Sequence, residues 1–313
     1  WRETLGSRHQ NTLACINNLG LLLSAKGDLA AAEPLLREAV DGGREILGNR
    51  HPTTLCSINN LGMVLDEKGD LAAAEPLYRE ALEGQRETLG NRHQNTLSFI
   101  SNLGALLKAK GDLAAAEPLY REALEGLRET LGNRHPSTLS SINNLGTLLY
   151  VKRDLAAAEP LLREAVDTFR ETLGSQHPGT LGSINNLGLL LQAKGDLTAA
   201  EPLLHEALEM KRETLGDRHP STLNSTNNLG WLLYAKGDLA AAEPLLREAL
   251  EGRRATLGSG HPDTIKSMNY LGLLLMAKGV FAAAELLLSE ALEGQHEHDL
   301  GSRQPHTVLP VHI

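Results

Sequence analysis

Aromatic side chains are scarce in this chain: Phe, Trp and Tyr together supply 3% of its 313 residues. Large globular cores lean on such bulk, so the scarcity points to thin layers of packed helices, with Ala, Leu and Glu abundant instead. Cysteine is nearly absent. Cys15 and Cys56 fall at different places in the pattern described below, so no disulfide framework or zinc spacing is available. A reducing compartment is the default, and the cytoplasm is the expected location. Long apolar runs are missing as well. Every charge-poor stretch is interrupted by Asn, Gly or Gln well short of the ~20 residues of a membrane span, and no signal peptide is read. The formal charge of −9 comes without any Lys/Arg stripe, which argues against nucleic acid as a partner and leaves solubility as the role of the acidic surface. There is no Gly-rich phosphate loop, no nucleophile elbow and no pair of catalytic carboxylates in unlike surroundings. Neither enzyme activity nor a cofactor is expected.

What the chain has is a repeat. The segment from Thr12 to Gly48 returns every 42 residues, closing at Leu5-Gly6, Leu47-Gly48, Leu89-Gly90, Leu131-Gly132, Leu173-Gly174, Leu215-Gly216 and Leu257-Gly258. Leu300-Gly301 follows one residue out of phase. A fixed period of this length marks an array in which each unit buries its apolar face only against its neighbours. The expected organisation is one array over 1–296, with helix pairs near 10–48, 52–90, 94–132, 136–174, 178–216, 220–258 and 262–296, then a degenerate tail, 297–313. Trp1–Gly6 reads as the tail of a unit that begins upstream, and neither end shows a clear polar cap.

Within Gln10–Gly48, Leu13, Ile16, Leu19, Gly20 and Leu23 share one side of a first helix, with Leu22 widening the stripe. His-Pro or His-Gln opens it, and Pro52, Pro136, Pro178, Pro220 and Pro262 suit a first helical position. Lys26-Gly27 ends it and Asp28 caps a second helix, whose stripe is Leu29, Ala32, Leu36 and Ala39. Gly48 stands where a left-handed stop is wanted, while Gly20 and Ala32 allow close approach of the two helices. Pro34, Pro76, Pro118, Pro160, Pro202 and Pro244 resist this scheme, because an interior proline costs ~3 kcal/mol. Either the second helix begins later than Asp28 implies or it is kinked there.

The spacing Ile16, Leu19-Gly20, Leu23, Gly27, Ala32, Leu36, Ala39 resembles the tetratricopeptide (TPR) repeat, lengthened by eight residues through Arg-Glu-Thr-Leu-Gly-x-Arg-His-Pro. The 42-residue form, as in NNLGTLLYVKRDLAAAEPLLREAVDTFRETLGSQHP, is similar to the repeats of kinesin light chains. The resemblance implies an all-α fold of about seven helix hairpins, coiled as a right-handed superhelix with the first helices lining its inside. It further implies a protein–protein scaffold that binds an extended peptide or partner helix in a concave groove, as a kinesin light chain-like cargo adaptor. Kinesin heavy chain would then be met through regions outside these residues. Similar repeats also form the sensor arrays of STAND-type (NB-ARC) NTPases, the alternative function, and that reading requires an upstream phosphate loop.

Asn is a poor helix former, yet it recurs in mid-helix as Asn17-Asn18, Asn59-Asn60, Asn102, Asn143-Asn144, Asn185-Asn186, Asn227-Asn228 and Asn269. Its amide can pair with both groups of a peptide backbone. In TPR proteins that grip extended peptides, the asparagine before Leu-Gly forms such a ladder, and Asn18, Asn60, Asn102, Asn144, Asn186 and Asn228 match that place. Asn143, Asn185 and Asn227 are secondary candidates. The alternative is a ladder that bonds neighbouring helices to each other. The row breaks at Tyr270, where the groove is expected to end.

Selectivity is expected at positions that vary on the same face: Met63, Ala105, Thr147, Leu189, Trp231 and Leu273, then Ser24, Asp66, Lys108, Tyr150, Gln192, Tyr234 and Met276. Tyr150 is a candidate contact, and Trp231 with Tyr234 is a candidate pocket wall. Lys108 and Lys266 are the only basic residues there, so a neutral or apolar ligand fits better than an acidic one. The in-phase histidines His9, His51, His93, His135, His177, His219 and His261 lie roughly 16–20 Å apart on helix-packing distances and cannot share a metal. They read as loop or N-cap residues held extended by the following Pro. His296 and His298 are not expected to bind metal either. Arg44-Glu45, Arg86-Glu87, Arg128-Glu129 and the Glu38-type charges read as solvated faces with modest support within helices.

Overall fold

The computed structural model describes residues 9–303, with side chains to residue 296. Trp1–Gly6 lies outside what is described, as do the side chains of His298, Leu300 and the rest of the expected tail. Among the described residues there are fourteen α-helices and no strands. The first helices of the seven hairpins are α1 (Gln10–Ala25), α3 (Pro52–Glu67), α5 (Gln94–Ala109), α7 (Pro136–Val151), α9 (Pro178–Ala193), α11 (Pro220–Ala235) and α13 (Pro262–Ala277). The second helices are α2 (Leu29–Ile46), α4 (Leu71–Leu89), α6 (Leu113–Leu131), α8 (Leu155–Leu173), α10 (Leu197–Leu215), α12 (Leu239–Leu257) and α14 (Phe281–Arg303). The chain divides into two compact units, one up to Ala165 and one from Val166, with the division inside α8.

Helix boundaries follow from short-range chemistry. Asp28 accepts from the Ala31 N–H through its side chain and caps α2; Asp70 does the same for α4 through Ala73. Each first helix is capped by its histidine. Nδ1 of His51 accepts from Thr53 N–H at 3.2 Å, and Nδ1 of His135 accepts from Ser137 N–H at 3.2 Å. His9 and His93, which precede Gln, adopt the same extended geometry as the His-Pro pairs, so the capping bond and not the proline sets it. Gly48 closes its unit at φ +90°. Val151-Lys152-Arg153 departs from the Lys-Gly pattern, and Arg153 takes φ 65° where the other hairpins use Gly.

The six second helices that carry the proline start at their Asp caps, which rules out the later start considered for them. Pro34, Pro76 and Pro244 lie inside α2, α4 and α12 on the exposed side. The carbonyl that Pro34 leaves without a donor belongs to exposed Ala30, so water can satisfy it.

Packing within a hairpin requires Gly20. A Cβ there would meet Leu36 Cγ at 2.8 Å and the Ala32 carbonyl at 3.4 Å. Stacking between hairpins supplies the remaining burial. Leu61 and Val64 of α3 are 3% and 0% exposed beside α1, whereas their counterparts Leu19 and Leu22, with no described hairpin before them, are 46% and 51% exposed. This is nearest-neighbour stabilisation.

The Arg-Glu charges differ from the solvated faces expected of them. Arg44 Nη2 donates to both oxygens of Glu80 at 2.9 and 2.7 Å, and Arg86 does the same to Glu122 at 2.8 and 2.7 Å. In the second unit Arg170 grips Glu206 and Arg212 grips Glu248. Glu80 is itself a Glu38-type residue, so these groups tie successive second helices together. A parallel set joins Lys68 to Glu33, Lys110 to Glu75 and Lys236 to Glu201. Two lysine ammoniums of this set hold their partners below the ordinary carboxylate range: Lys68 leads for Glu33 and Lys110 for Glu75.

Candidate functional site

The asparagines of the first helices face one another across neighbouring hairpins. In the first unit Asn60 Nδ2 donates to Asn17 Oδ1 at 3.0 Å, and Asn102 Nδ2 donates to Asn59 Oδ1 at 3.1 Å. In the second, Asn228 Nδ2 donates to Asn185 Oδ1 at 3.1 Å. Each rung joins residues 43 apart, one period plus one residue. These amides therefore spend a donor on holding first helices side by side. Asn59 and Asn227 are buried; Asn143, Asn144, Asn185, Asn186 and Asn228 are half-buried, and Asn18 is exposed.

One rung fails for a reason visible in the sequence. Ser101 replaces the first Asn of its pair and turns its hydroxyl to the Leu97 carbonyl at 3.0 Å. Asn144, one period plus one residue further on, makes no hydrogen bond among the described residues.

On the same face of the second unit, Trp231 and Tyr234 stack with centroids 4.8 Å apart and planes 21° apart. Tyr270, the residue that interrupts the asparagine row, adds itself to them at 4.3 Å and 16° from the Trp231 ring. Lys266 Nζ lies 5.6 Å from the Tyr270 centroid, within cation–π range. All three rings are half-buried, so they form one partly open aromatic run centred on the indole. Sequence reasoning found Trp231 and Tyr234 through their spacing of three. It missed Tyr270, whose ring reaches back from the next first helix.

The varying positions of the first unit are also half-buried. Burial pushes the Lys108 ammonium below the usual lysine range, and it raises the Asp66 carboxyl with help from neighbouring Glu67. Ser24 donates to Glu67 at 2.6 Å across the first two hairpins. Tyr150 stands at the end of α7, half-buried.

Two buried cations were not legible in the repeat. Gly43, Gln85, Leu127, Phe169, Lys211 and Arg253 occupy one position of the second helices, and all six are buried. Lys211 Nζ donates to Ser225 Oγ at 2.9 Å, and burial pushes its pKa down to about 8. Ser225 Oγ in turn donates to Asn185 Oδ1 at 3.4 Å, so the lysine is wired to an asparagine rung. Arg253 donates to the Asp263 carbonyl at 2.8 Å and to Ser267 Oγ at 2.7 Å, and Ser267 donates to Asn227 Oδ1 at 3.0 Å.

Cys15 and Cys56 are both free thiols, and burial raises the Cys56 pKa. Among the described residues no three His, Cys, Asp or Glu side chains gather as a metal site, and no helix is long and apolar enough to cross a membrane.

A family model described as tetratricopeptide repeat matches residues 12–87, 92–171, 140–196, 180–255 and 233–295, which together take in most of the chain. The chain belongs to the tetratricopeptide repeat family. No curated protein sequence matches it. Among solved structures it is similar to a Podosopora anserina protein described as a kinesin light chain with nearly identical TPR-like repeats: 28% identity, 66% of this chain and 98% of that one covered, TM-score 0.54. BtubC (BKLC) from P. vanneervenii is 22% identical over 79% of this chain and 97% of its own, with TM-score 0.59. The Rap conjugation gene regulator of plasmid pLS20, solved in complex with a Phr peptide, is 16% identical over 92% of this chain and 75% of its own, with TM-score 0.67. The last two likenesses concern the fold alone.

Proposed function

We propose that this tetratricopeptide repeat chain is a protein–protein interaction scaffold that takes an extended peptide or partner helix along its row of first helices, as a kinesin light chain-like cargo adaptor. The observation that carries the reading is the aromatic run Tyr234–Trp231–Tyr270, partly open on a face whose surroundings otherwise repeat. Aromatic rings of this kind anchor interfaces because they bring large apolar area at little conformational cost. Asn144, free of any rung, and the acceptor oxygens of Asn60, Asn102 and Asn228 would meet the backbone of the ligand; Asn18, Asn143, Asn185, Asn186 and Asn227 belong to the same row, and Tyr150 stands further along α7 as a further candidate contact. The Rap regulator bound to its Phr peptide supports a peptide as ligand for this fold. Two free thiols fit a reducing cytoplasm.

The test is selection of a random dodecapeptide phage library on the chain, with enriched peptides re-measured on Trp231→Ala and Asn228→Ala. Enriched peptides that lose binding to both variants, with helical circular dichroism intact, support the reading. A library that yields no enrichment, or peptides that bind the variants as well as the parent, overturns it.

A further inference from the structure

The first unit contains a small device that recurs in the second with one part removed. Arg50, next to the capping His51, grips Glu87 of the following second helix: Nε lies 2.8 Å from Oε2 and Nη2 3.3 Å from Oε1. Arg92 holds Glu129 in the same two-point manner, at 2.8 and 3.3 Å. Such side-on pairing is the strongest way a guanidinium holds a carboxylate. A second carboxylate stands further off in each case, Glu83 at 3.9 Å from Arg50 and Glu125 at 3.7 Å from Arg92.

Arg218 occupies the corresponding place in the second unit, but Ala255 stands where Glu87 and Glu129 would be. Arg218 is exposed and makes no hydrogen bond or ion pair among the described residues. Beside it opens a cleft of 620 Å³. Its other arginines are engaged: Arg212 by Glu248 at 2.6 Å and Asp217 at 3.4 Å, and Arg247 by Glu243 at 2.7 Å. Glu251, the counterpart of Glu83 and Glu125, also lines the cleft. Leu223 and Pro244 give it apolar wall.

We propose that this cleft is a second binding site, which takes a single carboxylate presented by a partner polypeptide. Its two oxygens fill at Arg218 the place that Glu87 and Glu129 fill in the first unit. Glu251 and Asp217 set the limit at one carboxylate, because a run of acidic residues would meet like charge. The apolar wall accepts the methylene stem of the group. The site uses no residue of the aromatic run and stands whether or not that run binds a peptide.

The experiment follows the arginine Nε–H signals of the full chain by NMR, with Arg218 assigned by its loss in Arg218→Lys. Three probes are titrated: acetyl-Gly-Glu-Gly-amide, acetyl-Gly-Gly-Gly with a free terminal carboxylate, and acetyl-Gly-Gln-Gly-amide. A saturable Arg218 shift with a carboxylate probe, while Arg50 and Arg92 stay still and the Gln probe does nothing, supports the site. Whichever carboxylate probe acts identifies a side chain or a chain end as the source. Ala255→Glu should abolish the response by filling the place from within, and Glu251→Gln should tighten binding several-fold. Both positions are exposed, and the other hairpins place Glu at the counterpart of Ala255, so the fold tolerates these changes. No saturable shift, an equal shift at Arg50, an equal effect of the Gln probe, or an Ala255→Glu variant that still responds overturns the proposal.

Discussion

Arg128 and Glu164 stand 36 residues apart in sequence, and one Nη2 of the arginine reaches both carboxylate oxygens at 2.7 and 2.9 Å. The pair joins α6 to α8, and the same pairing recurs between other successive second helices. Each member is about a third exposed, so solvent screens it and one rung contributes ~0.2–1 kcal/mol. A double-mutant cycle with Arg128→Gln and Glu164→Gln, read by urea unfolding, should give a favourable coupling in that range that shrinks at high salt. Additive effects of the two changes would show that the rung does not stabilise the stack.

Arg153 holds φ 65°, a conformation that L-residues with side chains enter at a cost of roughly 1–2 kcal/mol. Glycine in the unfolded chain loses some of that advantage through its greater freedom. Arg153→Gly should therefore stabilise the chain by about 0.5–1 kcal/mol, and a lowered Tm would refute the assignment of strain to this turn.

Lys211 is buried against a serine hydroxyl, and its pKa falls to about 8 from 10.5. Below pH 8 it is protonated in both states and carries the full cost of a buried charge, on the order of 3 kcal/mol. Between pH 8 and 10.5 the unfolded chain holds the proton more firmly than the folded one, so stability rises with pH through that window. Leu127 occupies the same repeat position and is buried, which makes Lys211→Leu the fitting replacement. The variant should be more stable at pH 7, with an advantage that fades toward pH 10.5. An advantage independent of pH would mean the lysine is not a buried cation.

His135 caps α7 through Nδ1 at 3.2 Å from Ser137 N. His135→Ala should cost ~1 kcal/mol and His135→Asn close to nothing, since an Asn side-chain oxygen can accept the same bond. Equal losses in thermal unfolding would assign the histidine a role other than capping.

The hairpins and their caps are legible in the sequence because they depend on residues a few positions apart. Asp28 reaches only to Ala31, Gly48 needs only its own positive φ, and the stripes through Leu13 and Ile16 or Ala32 and Leu36 follow the helical period. The contacts that give the candidate sites their character lie further away. Asn60 meets Asn17, Arg128 meets Glu164 and Tyr270 stacks on Trp231 only because one hairpin lies on the next at a particular offset. That offset is decided by side-chain packing between helices, as at Gly20 and Leu36 within a hairpin, and a period of 42 is compatible with many offsets. The sequence by itself therefore determined which helices form and where they stop. Tertiary stacking decided which asparagine faces which across the rungs, which carboxylate each arginine meets, and which aromatic rings come together.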